Sequence, residues 1–129
     1  MPTWHDIQGY ARNKYRLFKD EPDKFAIVFR EQGDRTQLIW VRPFKAYNQE
    51  FLEFKSFFCK EGEMPPAVAL RKNAEMALGF IACVGDYYAI IWNVAMNNMV
   101  VEEFEMPLQI VSSRADELEQ LYSSGKDTF

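Results

Sequence analysis

Histidine occurs once in these 129 residues, as His5, and cysteine twice, as Cys59 and Cys83, with no CxxC spacing. A catalytic triad, a thiol–imidazole pair or a histidine-rich metal site would each have to recruit His5. That residue follows Trp4 on a first helical turn and reads as an exposed helix-start residue. Neither GxGxxG nor GxxxxGK[ST] occurs, so no phosphate-cradling loop is present. No apolar run approaches the roughly 18 residues of a membrane span; the longest, Tyr87 to Trp92, has the length of a strand. Basic charge is also short: 15 Lys and Arg against 19 Asp and Glu give a net charge of −4. Nucleic acid is therefore not the expected partner, because phosphate binding needs a basic patch. Arg12, Lys14, Arg16 and Lys19 are spread along the start and read as a solvated face. The N-terminus lacks the charged-then-apolar layout of a signal peptide. With two cysteines and no leader pattern, the expected compartment is the reducing cytoplasm.

What is abundant is aromatic and apolar: 48% hydrophobic residues, with 11 Phe, 6 Tyr and 3 Trp. The length fits one domain, 1–129, able to bury a core without disulfides or metals. So many large side chains leave some over for an interface.

Thr3 with Asp6 has the form of a capping box. Trp4, Ile7, Ala11, Tyr15 and Phe18 continue one stripe, which predicts a first helix from Thr3 to Phe18. Gly9 inside it suggests a close approach by another element, and 20–23 (DEPD) reads as a turn. Alternation predicts a strand from Lys24 to Glu31, a loop at Gln32-Gly33-Asp34, and a return strand from Thr36 to Arg42 closed by Pro43. A third strand lies within Asn48 to Cys59. There Leu52, Phe54 and Phe58 alternate with Glu53 and Lys55, giving one wet face. Pro65-Pro66 opens a second helix that runs to about Ala77, and Gly79 provides its exit. Phe80 to Val84 and Tyr87 to Met96 form a hairpin apolar on both faces, with Gly85-Asp86 suited to a type II′ turn. After a break at Asn97-Asn98, the stripe Phe104, Leu108, Val111, Ala115, Leu118 and Tyr122 predicts a last helix from about Phe104 to Ser123, in which Pro107 either sits in the first turn or marks a kink. The tail from Ser124 to Phe129 is expected to fray. The fold class is α+β: an antiparallel sheet of about five strands with helices, in the order α-β-β-β-α-β-β-α.

Chemistry-bearing residues are sparse. Cys83 reads as a small hydrophobe in its strand. Glu102, Glu103 and Glu105 cluster before the last helix, where they either bind a cation or, as is favoured, simply answer the helix macrodipole. Glu50, Glu53 and Glu102 would be the first suspects for an enzyme using carboxylates, although nothing in the sequence places them together. Asn73, a mediocre helix former in mid-helix, is either exposed or an amide that caps the backbone of a neighbouring loop.

The element order, together with Asn73, Leu78-Gly79 and the hairpin within RKNAEMALGFIACVGDYYAIIWNVAM, resembles the type III secretion chaperone-like fold and its YbjN-like family; Ala115-Asp116-Glu117-Leu118 resembles an A-D-E-L run found there. The resemblance implies a small acidic homodimer that binds segments of other proteins, without enzymatic activity or cofactor. By that resemblance Val68, Lys72, Phe80, Ala82, Tyr88, Ile90 and Trp92 are candidates for the dimer contact. Leu38, Trp40 and Phe44 are candidates for a partner-binding surface. The alternative is a small-molecule ligand-binding domain with an aromatic-lined pocket.

Overall fold

A computed structural model of the chain describes residues 2–31, 33, 35–97 and 99–123, apart from the side chains of residues 101 and 102. The expected loop residues Gln32 and Asp34, the break at Asn98, the tail from Ser124 to Phe129 and the side chain of Glu102 lie outside the described residues.

Among the described residues the elements run α1 (Trp4–Lys14), β1 (Leu17–Glu21), β2 (Lys24–Arg30), β3 (Thr36–Ala46), β4 (Gln49–Lys60), α2 (Pro66–Glu75), β5 (Phe80–Val84), β6 (Tyr87–Ala95) and α3 (Glu105–Tyr122). Single 3-10 turns at Glu61–Glu63 and Val101–Phe104 precede α2 and α3. All strand pairs are antiparallel, in the spatial order β1-β2-β3-β4-β6-β5.

The α+β class and antiparallel sheet match the sequence reading, but the described residues form six strands rather than about five. The extra strand comes from the end of the expected first helix. The Thr3–Asp6 capping box forms, with the Thr3 hydroxyl accepting from the Asp6 N–H at 3.2 Å. The helix then stops at Lys14, and Tyr15 turns extended at φ −124°. Leu17–Glu21 pairs with β2 instead, and the Val28 N–H donates to the Arg16 carbonyl at 2.9 Å. The ladder offered by β2 outweighs one more helical turn, and Phe18 ends up exposed at a register shift. The turn is the pair Pro22-Asp23.

β3 and β4 also run longer than expected. Pro43 does not close β3 but sits within it opposite Leu52. Pairing between β2 and β3 ends at Phe25 and Val41, so β3 has a free edge beyond Val41, where a residue without an N–H is tolerated. The β3–β4 hairpin turns on Tyr47 and Asn48, at φ 53° and 60°, the left-handed pair of a type I′ turn. Gly85 has φ 61° while Asp86 stays out of the left-handed region, as a type II′ turn requires.

The three helices cover one sheet face. Ile7 and Ala11 of α1, Ala69 of α2, and Leu108, Val111, Ala115 and Leu118 of α3 share one core with Phe25, Ile27, Ile39, Val41, Leu52, Phe54, Ile81 and Ile90. Phe104, fully buried at the entry to α3, has ring neighbours in Tyr10, Tyr15, Phe25 and Phe54. An ionic group missed in the sequence lies under α3. Arg35 donates to Asp116 at 2.7 Å and to Glu119 at 3.1 Å, and Glu119 is fully buried. Pairing is what makes a carboxylate tolerable there. Gly9 has open space where a side chain would project, so it marks no close approach.

Asn73 ties α2 to the sheet. Its amide nitrogen donates to the Ile81 carbonyl at 3.1 Å, and its amide oxygen accepts from the Ile81 N–H at 2.6 Å. The partner is an edge strand rather than a loop. Gly79, at φ +76°, makes the turn between them, and a Cβ there would lie 3.1 Å from the Ile91 carbonyl oxygen.

Replacing Asn73 with Ala leaves two backbone groups of β5 unpaired and is expected to cost about 1–3 kcal/mol in urea unfolding. Asn73→Asp keeps the acceptor but sets a carboxylate beside the Ile81 carbonyl, so it should recover only part of the loss. An Asn73→Ala protein as stable as the parent would show that the clamp contributes nothing.

Candidate functional site

Strand alternation that sends Phe25, Ile27, Ile39, Val41, Leu52 and Phe54 into the core sends their neighbours to the opposite face. Across that face one row follows the register through all six strands: Lys19, Ala26, Trp40, Lys55, Ile91 and Phe80. At about 4.8 Å per strand it is roughly 24 Å wide. Leu38 and Phe57 lie in the next row on one side, Arg42 and Glu53 on the other, and Phe44 and Phe51 beyond them. No helix among the described residues packs on this face. Ala26, Ala89 and Ile91 are nevertheless buried, each opposite a larger side chain: Trp40, Phe57 and Lys55.

Rings and cations alternate here. The Lys24 ammonium lies 5.8 Å from the Trp40 ring centre, the Arg42 guanidinium 5.2 Å from Phe44, and the Lys55 ammonium 5.6 Å from Phe57. Phe44 stacks on Phe51 at 5.4 Å, and Phe57 meets Tyr87 edge-on at 6.0 Å. Each cation–ring contact contributes about 0.5–1 kcal/mol at a wet site and holds the charge in place. The Glu53 carboxylate takes both fork nitrogens of Arg42, at 3.0 and 3.1 Å, and lies 3.5 Å from Lys55. Between these groups is a shallow hollow of about 270 Å³ lined by Lys24, Trp40, Val41, Arg42, Glu53, Lys55 and Phe57.

Charge on this face opposes that of the chain. Lys19, Lys24, Arg30, Arg42, Lys55 and Lys60 stand against Glu21 and Glu53, whereas the whole chain carries −4. Among the described residues, no carboxylate pairs with Lys19, Lys24 or Arg30.

The two sheet edges are less open. Asn73 occupies both backbone groups of Ile81 on β5. β1 is five residues long, shifts register between Leu17 and Lys19, and carries Lys19, Asp20 and Glu21. Short, bulged and charged edges resist strand addition.

Leu38, Trp40 and Phe44 therefore share one face, half-exposed and in line. The seven candidate dimer residues do not form one surface. Tyr88 and Ile90 are buried in the chain's own core, and Val68 and Trp92 pack against that core. Lys72 lies over the Tyr122 ring at 5.6 Å. Phe80, 40% exposed, and Ala82 belong to the uncovered face. Phe51 and Phe57 escaped the sequence reading, although the period-two set Phe51, Glu53, Lys55 and Phe57 carries the signal.

The carboxylate suspects are not brought together. Glu50 and Glu53 alternate to opposite faces of β4. Glu105 bonds Lys14, which holds its carboxyl below the usual range, and also accepts from Tyr10 at 3.0 Å. His5 is exposed. Among the described residues no group of three or more His, Cys, Asp or Glu side chains could hold a metal ion. Cys83 is exposed rather than packed, because β5 is an edge strand. Cys59 is buried, and burial, with a smaller contribution from the Glu63 charge, pushes its thiol up to about 12.

A disulfide reagent at pH 8 should therefore label Cys83 alone in the native protein and both cysteines in denaturant; two fast native equivalents would contradict the placement of Cys59. As pH rises from the ordinary thiol value of 9.0 towards about 12, the unfolded thiol ionises while the folded one does not. Cys59 should therefore lower stability over that window, and Cys59→Ala should flatten the decline.

Compared with known proteins, no family model matches the chain, and no curated protein matches it either.

Proposed function

We propose that the protein is a non-enzymatic protein-binding module, chaperone- or adaptor-like, that acts as a cytoplasmic homodimer and holds a segment of another protein on its uncovered sheet face. The observation that carries this is the row of half-exposed rings around Trp40, on a sheet whose three helices, among the described residues, lie on the other side. An exposed apolar patch bordered by polar groups is a common mark of a protein contact. The clamp on Ile81 of β5 and the short, charged β1 favour the face over strand addition at these two edges. No helix of the described residues is long and apolar enough to cross a membrane.

The secretion chaperone-like, YbjN-like reading rests on the element order and on Asn73 and Gly79 before the hairpin. The additional strand β1 departs from the expected order. For the dimer, the contact that best suits this geometry is the outer side of α2, where Leu70 is 70% exposed, together with Leu78 just past the helix. The small-molecule alternative has the hollow beside Trp40, but about 270 Å³ is small for a ligand site, and Glu53 within it already has two cations.

Sedimentation equilibrium should give twice the 15.2 kDa chain mass, and Leu70→Glu should return it to one chain mass. A photoreactive residue at Leu38 or Phe44 should give discrete adducts in cells, lost when Trp40 is replaced by Glu, whereas one at the exposed Gln109 on α3 should not. Equal adducts from both sites, or none, would count against the face; a monodisperse monomer would remove the dimer.

A further inference from the structure

We infer that the segment held on the uncovered face is acidic, a stretch of extended chain in which carboxylates alternate with apolar or aromatic side chains. The inference rests on the protein-binding reading and adds the chemistry of the partner. Its ground is the charge reversal: six cations against two carboxylates on one face of a chain whose net charge is −4.

The arrangement suits that occupant in three ways. Glu53 is buried and already satisfied by Arg42 and Lys55, so it leaves little negative charge for a ligand to meet. Lys19, Lys24 and Arg30 are exposed, and none forms an ion pair among the described residues, although Glu21 stands opposite Lys24. They follow β1 and β2 along one side of the face, while Trp40, Phe44, Phe51 and Phe57 occupy its middle. A segment across the row meets rings and cations in turn, and about seven extended residues at ~3.3 Å each span it.

The other occupants fit less well. A second copy related by a two-fold axis would bring this cationic face against itself, placing like charges together. A single-stranded nucleic acid would stack bases on open rings, but Trp40, Phe44 and Phe57 each already hold one of the chain's own cations near the ring, and the rest of the surface is acidic.

The test uses the full chain and three labelled probes: an extended peptide of alternating Glu and Tyr, its charge-reversed Lys and Tyr twin, and single-stranded oligothymidylate. Binding is followed by fluorescence anisotropy and mapped by amide chemical shifts. The Glu peptide should bind with affinity that falls as salt rises, perturbing the Trp40 indole and the amides of β2 to β4. Lys24→Glu, at an exposed position, should raise its Kd about tenfold or more, while Arg114→Glu on α3, on the other side of the sheet, should leave it unchanged. Equal binding of the Lys twin to the same face would overturn the acidic inference and leave the protein-binding reading standing. Oligothymidylate binding as tightly as the Glu peptide would overturn it in favour of a general polyanion site. If neither peptide perturbs the face, both the inference and the reading fall.

Discussion

A sheet has two faces, and this chain brings helices to one of them. Everything distinctive about the molecule follows from that constraint. The covered face is built from Phe25, Ile27, Ile39, Val41, Leu52, Phe54 and Ile90 and is closed by Phe104 and the stripe of α3. The other face cannot be left as apolar as the first in water. It carries the compromise seen in the structure: rings in the middle, cations held over them, and small residues beneath. Such a surface remains wet when alone and still gains by covering its rings when a partner arrives.

The edges limit how that gain is realised. An open sheet leaves ladders unpaired at its edge strands, and here also along β3 beyond Val41; such ladders are hazards for aggregation as well as sites for strand addition. Here β5 is held by both polar ends of the Asn73 amide, and β1 is short, shifted and charged. The same asparagine thus secures α2 and reduces the competition from pairing at the β5 edge.

Much of this was legible in the residues. The stripes of α1 and α3, the proline entry of α2, Gly79 and the closing hairpin were all readable because local chemistry and the final fold agree there. The failures share one cause, which is tertiary pairing that no local pattern records. Leu17–Glu21 has a helical continuation in Tyr15 and Phe18, yet the vacant edge of β2 takes it as a strand. Pro43 looks like a strand end, but β3 runs past its neighbour and leaves the proline on a free edge. Cys83 looks apolar by its neighbours and is exposed because its strand is last in the sheet. Tyr88 and Ile90 looked like seam residues because the hairpin is apolar on both sides; the side they occupy is the one that α2 and α3 cover. The uncovered face was half legible. Leu38, Trp40 and Phe44 were identified, but their companions Phe51 and Phe57 and the cations that frame them emerge only when the strands are set in register.

The most direct measurement of the central claim is hydroxyl-radical footprinting of the protein in its native lysate against the purified chain. Oxidation at Trp40, Phe44 and Phe57 should fall in the lysate, while Tyr47, 92% exposed at the β3–β4 turn, should be oxidised equally in both. Unchanged oxidation of the three rings would contradict the claim that this face is where the protein meets its partner.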